Sequence, residues 1–191
     1  MKYLVLTSLV IFSFCSCGQH TPHGSQSNPS QINPGPPATF PTVGFEQSHE
    51  VMIPFSIDKV WPLLEPNGRH LIYDWWNPTV LREGKEESLI GQVTVTEYHS
   101  HEIFLIVTKH NPEQMYLQYL VLWDDFELQR IDITCKEGAT KNSTIVVWTE
   151  RNAGIHENGV SMVSEFVQGG HLVDVVERYS KQIEEYLKDK K

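Results

Sequence analysis

Residues able to do chemistry near neutral pH are scattered along this chain. Glu150 and Arg151 end a β-rich stretch two and three residues after Trp148, and alternation along an extended strand puts Glu150 on Trp148's face. A carboxylate withdrawn from water there would have a raised pKa and could serve as a general base; in solvent it is an ordinary strand end. His70 and His171 are of the type that exchanges protons near pH 7, and His171 stands beside the Gly169-Gly170 pair. His99-Ser100-His101 has metal-ligand spacing if extended. It falls between two strand-like stretches, as a turn would, and lacks a third patterned ligand. No Ser–His–Asp or Cys–His set can be assembled from spacing, so neither metal nor cofactor is expected, and catalysis is the minor reading. Cys135 ends an apolar run and reads as a small buried hydrophobe rather than a nucleophile.

Aromatic residues are the stronger signal. Tyr73, Trp75 and Trp76 cluster in one passage, while Tyr119, Trp123 and Trp148 fall in strand-like runs. Each can wall a ligand cavity or simply fill a core, since a buried ring hides about 150–250 Å² either way. Trp75 and Trp76 are neighbours and cannot both point inward easily, which puts one at a rim.

The elements that must carry these residues begin near Glu46, where composition changes. Residues 50–55 read as a strand, and 57–64 as a short helix with Val60, Trp61 and Leu64 on one face and Ser56 as N-cap. Pro66 reads as its end, Asn67-Gly68 as a turn, and 69–73 as a second short helix. Strands are expected over 79–83, 91–98, 102–109, 114–122, 126–135 and 143–151, with short turns that favour an antiparallel meander. In 126–135 the apolar phase slips: Phe126 and Leu128 alternate in one phase, Ile131, Ile133 and Cys135 in the other. A β-bulge near Gln129-Arg130 would reconcile them. From Gly159 to about Asp189 the apolar period is helical, interrupted at Gly169-Gly170. Either the helix breaks there, or a cavity wall needs room there, with Phe166 and Leu172 on the same wall.

The first 45 residues are different. Lys2 precedes a mostly apolar run over 3–14, too short for a bilayer core, which needs about 20 residues. A charged start, a short apolar stretch and small residues make an export signal. Its end, Phe14-Cys15-Ser16-Cys17-Gly18, resembles the lipobox of bacterial lipoproteins, with Cys17 as the acylated residue. The sequence departs from that pattern at Phe14 and Cys15. Residues 1–16 are thus expected to be a signal peptide and 17–45 a lipidated linker. Positions 18–45 hold six prolines, four glycines, three serines and no charge, a composition that cannot offset the entropy of ordering. Removing Lys2 with the signal leaves 14 basic against 24 acidic side chains, a net of −10. Such a chain does not hold nucleic acid or anionic lipid by its field. Acyl chains must then supply the membrane attachment, and the expected place is the envelope, with the outer membrane favoured.

Over 48–188, the order strand, two short helices, meander, long closing helix resembles the START-like (SRPBCC, helix-grip) superfamily. Ile57-Asp58-Lys59-Val60-Trp61 is similar to the start of the first helix there, and Trp76-Asn77-Pro78 with Gly91 to its passage into the second strand. The resemblance implies an α+β domain over 46–191: a curved antiparallel sheet of about seven strands wrapped around a long C-terminal helix. It implies a space between them for an apolar small molecule, and a monomer is the expected state. Within it, Tyr73, Trp75, Trp76, Tyr119, Trp148, Phe166, Gly169, Gly170 and Leu172 are the candidate lining, and Glu150 and His171 the candidate acid–base groups. Members include carriers, cyclase- or dehydratase-like enzymes, and helper domains. The three readings are therefore a carrier, an envelope enzyme using Glu150, His171 or Tyr119, and a protein-interaction domain with a solid core.

Overall fold

Seven strands form an antiparallel sheet in the computed structural model, which describes residues 44–73, 76–85, 88–124 and 127–190. Residues 1–43, which hold the expected signal peptide, Cys17 and most of the expected linker, and Trp75 lie outside the described residues. In chain order the elements are β1 (Gly44–Ile53), α1 (Ile57–Leu64), α2 (Pro66–Arg69), β2 (Thr79–Arg82), β3 (Val93–Tyr98), β4 (His101–Asn111), β5 (Tyr116–Trp123), β6 (Glu127–Glu137), β7 (Thr144–Gly154), α3 (Glu157–Gln168) and α4 (His171–Asp189). The spatial order is β1-β7-β6-β5-β4-β3-β2, so β2 to β7 form a meander and the first strand pairs with the last. The sheet curves, and α4 closes its concave side.

Period-two alternation decides what that side presents. On β7, Val146, Trp148, Glu150 and Asn152 point inward, on β6 Glu127, Ile131, Ile133 and Cys135, and on β5 Leu117, Tyr119 and Val121, all buried. Leu172, Val176, Tyr179 and Ile183 of α4 complete the core.

Several expectations are corrected. β1 begins at Gly44, six residues ahead of the expected strand start. Its first half is an edge strand in which Phe45 is the one large apolar residue, held by ladder bonds to β7, so hydrophobic periodicity is silent there. α1 ends at Leu64 ahead of Pro66 as expected, but Pro66 also opens α2, where a proline at the first position sacrifices no helical bond, so Asn67-Gly68 is helical and not a free turn. Gly68 is required: a Cβ there would overlap the Pro62 carbonyl of α1. The expected 69–73 helix is instead a turn in which the Arg69 carbonyl accepts from the Ile72 and Tyr73 N–H groups. No bulge occurs at Gln129-Arg130, because β6 keeps unbroken register with β7 from Glu127 to Glu137 and with β5 from Glu127 to Thr134. The phase of Ile131, Ile133 and Cys135 runs on to the strand's start, turning Leu128 out, 40% exposed, and Glu127 in. Register breaks lie instead at Val107/Lys109 and Val80/Arg82. Of the two alternatives at Gly169-Gly170, the helix breaks: α3 and the long α4 are parted at Gly170, which takes φ 72°, a left-handed conformation that L side chains rarely adopt.

Candidate functional site

The inward phase of β6 and β7 places polar groups where a core would have apolar ones. Down the concave face run Glu127, then the paired Gln129 and Asn152, then Glu150 opposite Ile131. They floor a cavity of about 360 Å³, in the range of small-molecule sites. Its walls are Tyr98 and Trp123 from β3 and β5, Met162 and Phe166 from α3, and His171 and Leu172 from the start of α4. Phe166 and Met162 are over a third exposed, which sets them at the mouth; the Phe166 ring stacks on His171 with centroids 5.0 Å apart. Gln47 clamps the rim by donating to the Val167 carbonyl at 2.9 Å.

A narrower lobe of about 150 Å³ shares Tyr98, Trp123, Gln129, Glu150 and His171 and runs inward to Tyr73, Trp76, Trp148 and Tyr179. At its end sits the buried Arg69. Its guanidinium carbon lies 4.5 Å from the Tyr119 ring centroid and 5.5–5.6 Å from those of Trp148, Tyr179 and Trp76. Cation–π attraction on four sides supports this charge. Among the described residues no carboxylate lies within ion-pair distance of it, and Nε and Nη2 have no hydrogen-bond partner.

Glu150 is well served. Trp148 Nε1 donates to one oxygen at 3.0 Å and Gln129 Nε2 to the other at 3.0 Å. Burial raises its pKa, while hydrogen bonds from Trp148, Asn152 and Gln129 pull the other way. Glu127 is not served: its Oε1 has no partner among the described residues, and neither has Asn152 Oδ1. Burial, helped by the Glu150 charge, pushes the Glu127 carboxyl up to about 7. A carboxyl half-protonated near neutrality is able to give or take a proton.

Of the expected lining residues, Tyr73, Trp76, Trp148, Phe166 and Leu172 are on the cavity walls, together with Glu150 and His171. Tyr119 is beneath them, its hydroxyl donating to the Leu64 carbonyl at 2.8 Å. Gly169 and Gly170 form the α3–α4 junction and are not wall residues. His99 and Ser100 make the β3–β4 hairpin with positive φ, and His101 Nδ1 pairs with Asp124 at 2.6 Å. Burial pushes the Cys135 thiol up to about 12, which leaves it inert at neutral pH. Sequence reasoning passed over Arg69 and Glu127. The signal for Glu127 was present: extending the phase of Ile131, Ile133 and Cys135 backwards puts it on the buried face. Nothing in the sequence marks Arg69.

No protein-family model matches the sequence, and no curated protein matches it. Solved structures do. An aromatase/cyclase, Zhui, from Streptomyces sp. R1128 superimposes with a TM-score of 0.58 at 14% identity over 75% of this chain and 96% of its own. Norcoclaurine synthase from Thalictrum flavum, in complex with dopamine and hydroxybenzaldehyde, gives 0.54 at 14% identity over 75% and 88%. Ara h 8.0201 gives 0.54 at 11% identity over 76% and 99%. Sheet order, closing helix and these likenesses agree: the chain has the helix-grip α+β fold.

Proposed function

We propose that this chain is a lipid-anchored envelope protein whose helix-grip domain binds an apolar small molecule between the sheet, α3 and α4. The observation that carries the reading is the cavity of about 360 Å³ with aromatic walls and an exposed Phe166–Met162 mouth. A solid-core interaction domain would have closed that space. Cys17, at the end of a short apolar leader, is the anchor, and the uncharged stretch after it is the tether. Among the described residues no helix is long and apolar enough to cross a membrane, in keeping with attachment by acyl chains.

An acid–base enzyme of the cyclase or dehydratase kind is the second reading. It is favoured by the Glu127 carboxyl being pushed up to about 7 beside Glu150 on the cavity floor. The test is native mass spectrometry of protein purified from its own membranes. A discrete added mass, released by organic extraction and identified as an apolar molecule, is the expected result. Empty protein that also takes up no apolar fluorescent probe would overturn the proposal.

A further inference from the structure

The cavity's polar groups specify more than an apolar occupant. Glu127 and Asn152 are 3% and 7% exposed, both line the larger lobe, and each offers an acceptor oxygen without a partner among the described residues. Asn152 lies two residues along β7 from Glu150 on the same buried face, with Oδ1 bare among the described residues. Two bare, buried acceptors ask for donors from the occupant.

Charge points the same way. Glu150 acts on Glu127 through space, and no cation offsets either carboxylate at ion-pair distance among the described residues. Arg69, the buried cation of the inner lobe, acts on Glu150 only through space and forms no ion pair with either carboxylate among the described residues. A buried carboxylate without a counter-charge is unfavourable, and a cation brought by the ligand relieves it. Tyr98, Trp123 and Phe166 add ring faces that accept both a cation and an aromatic body.

We propose that the cavity takes an amine with an apolar, aromatic body, bound as its ammonium with N–H donors on Glu127 Oε1 and Asn152 Oδ1. This rests on the reading of the domain as a binder of apolar small molecules.

Three matched probes test it by calorimetry on the purified full chain: 4-phenylbutylamine, 4-phenylbutanol and 4-phenylbutyrate. The amine should bind at least about tenfold more tightly than the alcohol, the factor that one charge-assisted hydrogen bond supplies. The carboxylate should bind most weakly. Glu127→Gln should bring the amine-to-alcohol ratio towards one. Amine affinity should also rise from pH 6 to pH 8. His99, His101 and His171 line the same cavity. The pH arm is therefore read as the slope of the wild type minus that of Glu127→Gln, with Glu150 and Arg69 common to both. Equal affinities for amine and alcohol in the wild type overturn the amine proposal and leave the apolar-binder reading standing. Preference for the carboxylate overturns it too, in favour of Arg69 as the recognising group. If none of the three binds, the apolar-binder reading falls with it. Should Glu127→Gln fail to fold, Asn152→Ala replaces it, with the same fall in ratio expected and an unchanged ratio counting against the proposal.

Discussion

At residue scale, Glu127 links stability to pH. Its folded pKa of about 7 exceeds the ordinary 4.5, so the folded state holds the proton more tightly than the unfolded chain. That contribution is complete below pH 4.5 and is lost as pH rises through 7. Glu127→Gln mimics the neutral acid. It should match the wild type at pH 4 and exceed it at pH 8 by up to about 3 kcal/mol, read from urea melts at both values. Cys17→Ser carries the anchoring proposal: the variant should leave the detergent phase in partitioning, and unchanged partitioning would refute the anchor.

At element scale, the α3–α4 junction depends on Gly170. A Cβ there meets nothing within 4 Å, so the obstacle to substitution is the backbone's φ of 72° and not crowding. Gly170→Ala should lose about 1–2 kcal/mol, and Gly170→Asn less, because asparagine tolerates this conformation. Melting curves of the two variants decide it. Equal melting of Gly170→Ala and wild type would mean that the helices are not parted as described. Elements with apolar periodicity were legible in the sequence: α1 with its Val60, Trp61 and Leu64 face, the meander, and the helical C-terminus. Elements held by other forces were not. The first half of β1 depends on ladder bonds to a distant strand, and α2 on a proline that serves equally well as a start or a stop. On β6 the pattern was present but was read against the usual rule. Leu128 faces out and Glu127 faces in because that end of the sheet floors a cavity, where burial no longer selects for apolar side chains. Arg69 was illegible for a related reason. Its rings come from four elements or passages that are neighbours only after folding.

At the scale of the whole molecule, the first strand closes the sheet against the last. A chain beginning at Glu50 would lack the six pairs from Gly44↔Ala153 to His49↔Trp148, and the Gln47 clamp on Val167. It should be less stable than a chain beginning at Gly44 by at least about 3 kcal/mol, since each lost hydrogen bond is worth roughly 0.5–1.5 kcal/mol. Thermal melts of the two proteins check this, and coincident curves would show that the early half of β1 contributes nothing. The same pairing governs when the domain can fold at all. β1 has no partner until β7, about a hundred residues later, exists and is in place, and such long-range closure is slow. Synthesised or threaded through a membrane from its N-terminus, the chain would spend that interval with its leading strand unmatched. For a protein that leaves the cell interior as proposed above, late closure is an advantage, because a domain still open can pass through a pore that the finished sheet cannot.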